Sequence, residues 1–190
     1  MSRKEPFRAV KGMRDILPPE SRLWGHIEQV AREVFHAYAY QEIRTPLVEA
    51  TELFARSVGV ETDIVTKEMY TFDDHGHSLT MRPEATASVV RAYLEHKLYE
   101  PPGLRKFYYM GPMFRRERPQ KGRYRQFFQI GAEAIGSDSP KVDAEILEML
   151  IALLDRLNLT GFTLLLNSVG CSECRPQYLA RLRSELVKIR

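Results

Sequence analysis

The chain has 190 residues with 44% hydrophobic and 28% charged residues, a formal net charge of +3 and two cysteines. Those totals suit a globular chain with a real core, and they exclude a disulfide scaffold. No apolar run approaches the ~20 residues that cross a bilayer, and the polar start Met1–Pro6 lacks a signal-peptide core, so a reducing cytoplasm is expected.

After Pro18-Pro19 the periodicity predicts an amphipathic helix, with Leu23, Ile27, Val30 and Val34 on one stripe and Trp24, Ala31, Phe35 and Tyr38 beside it. A break at Tyr40-Gln41 leads into a predicted strand, Glu42–Glu49, in which Pro46 lacks a ladder donor and belongs at an edge, a bulge or an interface. Thr51 is placed to cap a short helix through Ser57. Met69–Met81 reads as a β-hairpin turning at Asp73-Asp74-His75-Gly76. Pro83, at a first-turn position, opens a helix with Val89, Val90, Tyr93 and Leu94 as its apolar face. Pro101-Pro102-Gly103 ends that unit. Two strands, Arg105–Glu117 and Arg123–Ile135, follow around the loop 118–122. Ser139-Pro140 starts an apolar helix to residue 157, a core element by its leucines; Phe162–Leu166 reads as a buried strand and Pro176–Arg190 as a polar helix. The order is α+β rather than alternating βαβ. Neither a Rossmann fingerprint nor a P-loop occurs, so a nucleotide would need another cradle.

The hairpin around residues 118–122 is the most informative stretch. Side chains alternate faces along a strand. Even positions carry Tyr108, Met110, Phe114, Phe128, Ile130, Ala132 and Ala134, which is a face packed on a core. Odd positions carry Arg115, Glu117, Arg123, Arg125, Phe127, Gln129 and Glu133, and Gly131 among them offers no side chain to block approach. One reading is an ordinary solvated sheet face with cross-strand Arg–Glu pairs. The other is a nucleotide site: arginine forks suit phosphate oxygens, Phe127 suits a base, and Gln129 and Glu133 suit a cationic or hydrogen-bonding small molecule. Between Phe114 and Arg125 five arginines and one lysine face a single Glu117.

Phe114-Arg115-Arg116-Glu117-Arg118-Pro119-Gln120-Lys121-Gly122-Arg123-Tyr124-Arg125-Gln126-Phe127 resembles motif 2 of class II aminoacyl-tRNA synthetases in its histidyl-tRNA synthetase form. Lys11–Pro18 is similar to that family's N-terminal signature, and Leu79–Thr86 resembles its amino-acid-binding loop, where glycine is commoner than Ala85. The helix and strand ending at Pro46 stand where motif 1, the dimer-forming element, belongs. The resemblance implies a class II antiparallel sheet flanked by helices and incomplete at its C-terminus. Residues 1–168 would be the front of the catalytic domain, and 169–190 the start of a following insertion.

What the resemblance implies residue by residue agrees with the chemistry of the face. Arg115 would contact the ATP α-phosphate and the histidine carboxylate. Glu117 would read the adenine amino group, Phe127 would stack on adenine, and Arg123 would hold the outer phosphates. Gln129, Glu84 and Thr86 would bind the amino-acid moiety, and Glu133 the imidazole. Arg118, Gln120 and Arg125 are candidates for the tRNA acceptor end; the alternative is a basic loop that orders only on ATP. The implied activity is ATP-dependent formation of histidyl-adenylate and transfer to tRNA(His), with Mg2+ accompanying ATP, by a soluble homodimeric ligase. Phe128, where histidine is commoner, reads as packing.

Motif 3, the second histidine-specific loop and the anticodon-binding domain of the family have no counterpart in this sequence, so the chain is expected to be either an excised fragment or an unusually short gene product. Two rivals stand beside the ligase. One is a synthetase-like regulatory subunit of histidine biosynthesis, against which Arg115, Glu117, Arg123 and Phe127 all argue. The other is a folding or dimerisation fragment without a retained site. Cys171-Ser172-Glu173-Cys174 reads as a structural thiol pair, the alternative being half of a zinc site completed beyond Arg190, and no metal ligand is assigned. His75 and His77 belong to a polar hairpin tip.

Overall fold

A computed structural model describes residues 7–58, 68–118, 120–167 and 171–188. The chain divides into two compact units, Met1–Asn158 and Leu159–Arg190. In the first, the order is α1 (Glu20–Ala37), β1 (Gln41–Glu42), β2 (Val48–Ala50), α2 (Thr51–Val58), β3 (Tyr70–Asp74), β4 (His77–Met81), α3 (Thr86–Glu95), β5 (Arg105–Phe114), β6 (Gln126–Ile135) and α4 (Pro140–Arg156). The second holds α5 (Cys174–Val187).

Two three-stranded sheets form, β1-β5-β6 and β2-β4-β3. All pairings are antiparallel except β1 with β5. The β5–β6 ladder runs unbroken from Arg105 opposite Ile135 to Phe114 opposite Gln126. The predicted strands were longer at the loop end: past Phe114 and Gln126 the Arg115 amide still reaches Arg125 O at 2.9 Å, but Arg116 N bonds Glu68 O at 2.6 Å and Arg125 N bonds Gly12 O at 2.7 Å, and the ladder ends.

The predicted strand 42–49 divides in two. Its start joins β5 and its end joins β4, so residues 43–47 cross between sheets, and Pro46, without an N–H, lies in that crossing. Thr51 is the first residue of α2, and its hydroxyl meets those of Ser78 at 2.8 Å and Thr80 at 2.9 Å. The β3–β4 hairpin turns as predicted: His75 and Gly76 have φ of 52° and 86°, the left-handed pair that a two-residue hairpin turn requires.

Helix α3 opens at Thr86 rather than at Pro83. The Glu84 carboxylate accepts from the amides of Thr86 at 2.6 Å and Ala87 at 3.0 Å, satisfying donors that the first turn leaves free. Its buried face is Ala87, Ser88, Val89 and Ala92; Val90 and Leu94, predicted inside, are 40% and 58% exposed. Ala85 sits at φ −117°, a conformation that needs no glycine, and its methyl is buried.

The even face of β5–β6 packs as expected through Tyr108, Met110 and Ala132 against Ala31, Val34 and Phe35 of α1 and Ile146, Met149 and Leu153 of α4. Phe35 stacks on Tyr108 with centroids 4.5 Å apart. Burial stops short of both helix ends. Leu23 stays exposed, Phe128 packs edge-to-face on Trp24 yet remains open to solvent, and Leu150 and Ile151 of α4 face outward. The odd face is apolar on its β5 half, where Phe107, Tyr109 and Met113 meet Ala85 and Val89 beside α3. Lys106 ties this layer to the helices, donating to Glu145 Oε2 at 2.8 Å and to Tyr38 O at 3.3 Å.

In the second unit the predicted strand Phe162–Leu166 is not formed: its residues pair with no strand among the described residues, and Leu165 and Leu166 are exposed. An apolar run is strand-like only where an edge is available to its backbone. Helix α5 begins at Cys174, two residues before the predicted Pro176, and the final residues of that prediction lie outside the described ones.

One buried arginine joins the two sheets. Arg82, 4% exposed, donates to Pro112 O at 3.1 Å, Thr45 O at 3.3 Å and Thr45 Oγ1 at 3.1 Å, and burial lowers its pKa. Gly111 makes room for it, since a Cβ there would sit 2.7 Å from Arg82 Nη2. Arg82→Met is therefore expected to cost about 3 kcal/mol in urea unfolding, because charged hydrogen bonds are lost and buried carbonyls go unpaired. A loss below about 0.5 kcal/mol, typical of a surface change, would contradict the role.

Candidate active site

Along the odd face of β6, Phe127, Gln129, Gly131 and Glu133 stand in one row, opposite Met113, Gly111, Tyr109 and Phe107 of β5. At a strand rise of about 3.3 Å per residue, the row spans roughly 20 Å. Its two ends differ in charge.

The basic end gathers at the loop. Arg115 leaves β5 with its amide donating to Arg125 O at 2.9 Å. Its Nε donates to Pro83 O at 2.9 Å, and the guanidinium lies over the Phe127 ring, 5.1 Å from its centroid. One edge of the fork is thus fixed, and the terminal nitrogens remain for an anion. Glu117 lies 4.0 Å from Arg115 and 3.5 Å from Arg123, with side-chain exposure of 19% for Glu117 against 64% for Arg123. Arg115, Glu117, Arg123 and Phe127 thus stand together at this end of the row.

The acidic end gathers where α3 begins. Thr86 Oγ1 donates to Glu133 Oε1 at 2.7 Å, so the predicted amino-acid loop and the predicted imidazole acceptor are in direct contact. Glu84 is two residues away, its oxygens holding the first amides of α3. The ends are connected: the Pro83 carbonyl that grips Arg115 belongs to the residue before Glu84. Gln129 lies between them on the same row.

Alternation alone missed Tyr109. It is nearly buried, and its ring lies across Gly131, where a Cβ would run into it. The space that Gly131 leaves is filled by the protein itself, which corrects the expectation of an open approach at that point. Burial pushes the Tyr109 phenol up, with the Glu133 charge adding to it. The signal for Tyr109 was its odd number on β5, opposite a glycine on the face already singled out.

Burial likewise raises the Glu133 carboxyl above its ordinary value; the Glu84 charge adds to this, while hydrogen bonds from Thr86 and Tyr109 oppose it. A carboxyl in this environment favours a cationic or hydrogen-bond-donating guest, whose arrival would stabilise the charged form.

The three loop candidates separate. Arg118 and Gln120 are exposed, and Gln120 and Arg123 close a turn around Gly122 at φ +82°. Pro119, between them, lies outside the described residues. Arg125 is turned back instead: it donates to Glu117 O at 3.3 Å and Lys11 O at 3.4 Å, and its aliphatic stem lies where a Cβ on Gly12 would be. Gly12, at φ +85°, thereby brings the N-terminal segment onto the loop. Arg14 completes that attachment by pairing with Glu20 and lying over Tyr124, 5.2 Å from the ring centroid.

Glu133 yields a signed prediction. The folded chain holds its proton more tightly than the unfolded chain does. Its contribution to stability is therefore complete below the ordinary carboxylate range and is lost as pH rises through the raised value. Glu133→Gln is expected to unfold at a higher temperature than the parent chain at neutral pH, the gap closing toward about pH 4. A gap independent of pH would contradict this. Gly131→Ala, which forces Tyr109 aside, is expected to cost about 1–3 kcal/mol in denaturant unfolding and to lower affinity for any ligand that uses the Glu133 end.

Comparison with known proteins bears on what this row binds. A family profile described as "Histidyl-tRNA synthetase" matches residues 12–174. The histidine–tRNA ligase of Solibacter usitatus is 66% identical over 181 residues, which are 95% of this chain and 44% of that relative. The Geobacter metallireducens ligase is 61% identical over 178 residues, 93% of this chain and 43% of the relative. The chain thus spans less than half the length of the curated relatives it matches. Among solved structures, the apo histidyl-tRNA synthetase of S. aureus superposes with a TM-score of 0.78 at 41% identity, over 97% of this chain and 43% of that one. A Bacillus halodurans protein described as an ATP phosphoribosyltransferase regulatory subunit/histidyl-tRNA synthetase gives 0.70 at 28% identity, over 82% of this chain and 40% of that one.

Proposed function

This chain belongs to the histidyl-tRNA synthetase family, and on that premise we propose that its odd-face row is the larger part of a site that joins histidine to ATP as histidyl-adenylate. Transfer of histidine to tRNA(His) follows in the whole protein. The observation that carries the proposal is the polarity of the row: a pinned arginine over an aromatic ring at one end, and a desolvated carboxyl beside a second carboxylate at the other.

Phosphoryl-type displacement needs positioning and countercharge more than covalent help. The histidine carboxylate attacks the α-phosphorus, the bond to the bridging oxygen breaks, and pyrophosphate leaves. Arg115 neutralises the charge that gathers on the α-phosphate oxygens. Its Nε bond to Pro83 fixes the guanidinium in advance, so little reorganisation accompanies the reaction. Phe127 stacks on adenine, Glu117 accepts from its amino group, and Arg123, the most exposed of the set, reaches the outer phosphates. Glu84, Thr86 and Gln129 hold the amino-acid moiety. Glu133 accepts from the imidazole and discriminates against side chains lacking a ring N–H, whose binding would leave a buried acceptor unpaired.

Magnesium would enter as the companion of ATP, since Mg2+ is commonly held largely by substrate phosphates. Arg118 and Gln120 are assigned to the tRNA acceptor end. Arg125, expected with them, serves as a positioning residue through its grip on Lys11 and Glu117. Residues 1–168 form the front of the catalytic domain and 169–190 the start of an insertion; the compact unit ending at Asn158 falls within the first. The homodimer contact is assigned to the α1–β2 region, where Leu23, Leu47 and Val48 are exposed. No helix among the described residues is long and apolar enough to cross a membrane, and cytoplasmic placement is part of the proposal.

A thermal-shift series on this chain with non-hydrolysable aminoacyl-adenylate analogues tests the reading. At about 100 times its dissociation constant, the histidyl analogue should stabilise by about 2.7 kcal/mol. Other aminoacyl analogues should shift less, and Glu133→Ala should abolish the preference. Equal shifts for all analogues, or a preference that survives Glu133→Ala, would remove Glu133 from its selective role.

A further inference from the structure

The second unit carries two cysteines that the adenylation site does not use. Cys171 precedes α5 and Cys174 is its first residue; both are exposed and unbonded to each other. Their sulfurs are 3.5 Å apart. The turn between them is already wound, with Arg175 N donating to Cys171 O at 3.0 Å and Cys171 N donating to Cys174 Sγ at 3.0 Å. Closing a disulfide from this arrangement shortens the S–S separation by about 1.5 Å, without moving one element past another.

We propose that Cys171 and Cys174 form a redox-active dithiol that low-molecular-weight disulfides oxidise reversibly to an intramolecular disulfide, with Cys171 as the attacking sulfur. The sequence left the pair as a structural thiol pair or half of a zinc site. Exposure argues against the first, because a structural thiol pair is a buried one. The second, a zinc site completed beyond Arg190, is told apart from a dithiol by its response to Zn2+.

The roles of the sulfurs differ by position. Cys171 stands just ahead of the start of α5, and the nearby backbone amides of Cys174 and Glu173, with the Cys174 thiol, lower its pKa. The thiolate is the nucleophile, and amides at a helix start are a recognised way to favour it. In the first step Cys171 Sγ attacks one sulfur of the small disulfide; that S–S bond breaks, a mixed disulfide forms on Cys171, and one thiolate leaves. Cys174 then loses its proton to solvent, its sulfur attacks Cys171 Sγ, and the second small thiolate departs and is protonated. The chain gives up two electrons and the small disulfide becomes two thiols, so the reverse direction needs only an excess of those thiols.

The test equilibrates the chain with graded mixtures of reduced and oxidised glutathione, quenches with acid, and reads intact mass after alkylation. The chain has two cysteines in all, so each product is unambiguous. Expected are a species lighter by two hydrogens that resists alkylation, a stable glutathione adduct on Cys171 in Cys174→Ser, and iodoacetamide labelling of Cys171 in that variant at least about tenfold faster than of Cys174 in Cys171→Ser. Glutathione adducts on both cysteines of the parent chain without the internal disulfide would overturn the proposal, and so would equal labelling rates in the two variants. Protection of both thiols by stoichiometric Zn2+ alone, with no disulfide formed in its absence, would make the pair a metal site instead.

Discussion

The register of the β5–β6 ladder is the constraint on which the rest of the structure depends. With Gly131 opposite Tyr109 and Glu133 opposite Phe107, the odd residues Phe127, Gln129, Gly131 and Glu133 of β6 form one row, while Ala132 on the other face packs against α1 and α4. A slip of one residue would exchange the faces, burying Glu133 among the helices and turning Ile130 and Ala132 into the site. The register is held by shape as well as by hydrogen bonds. Tyr109 lies across a strand position where a Cβ would force it aside, and Gly111 gives Arg82 its passage to the Thr45 segment.

Arginines then convert this scaffold into a site by gripping backbone. Arg82 joins the two sheets, Arg125 holds the N-terminal segment on the loop, and Arg115 is held by Pro83 O beside the start of α3. A guanidinium has five donors in a rigid fork, so one side chain can fix a loop and still present nitrogens to a ligand. Arg115 does both. The same economy governs Glu84, whose carboxylate ends the loop by receiving the first amides of α3 and so sets Thr86 against Glu133.

Much of this was legible in the sequence where one periodicity governed. Alternation over residues 126–135 separated the core face from the polar row, and Asp-His-Gly spacing fixed the β3–β4 turn, because both depend only on near neighbours. The misreadings share a cause: a distant backbone group decided the outcome. The strand 42–49 divided because its two ends pair with different sheets. The helix expected from Pro83 began at Thr86 because Arg115 takes the Pro83 carbonyl and Glu84 supplies the first-turn acceptor. The apolar face of α3 was misplaced by about one position for the same reason. Phe162–Leu166 has strand composition, but composition supplies no edge. Arg125 looked like its neighbours Arg118 and Arg123 in a basic run, and nothing local revealed that Gly12 was shaped to receive it.

The central claim is that one ligand lies along the row with its anionic part at Arg115 and its amino-acid ring at Glu133. Intermolecular nuclear Overhauser effects in a complex of this chain with a non-hydrolysable histidyl-adenylate analogue test it most directly. The account predicts contacts from adenine protons to the Phe127 ring and from imidazole protons to Tyr109 and Thr86, with none to Trp24 or Phe128. Contacts in the reverse order, or contacts on the face that carries Trp24 and Phe128, would contradict it.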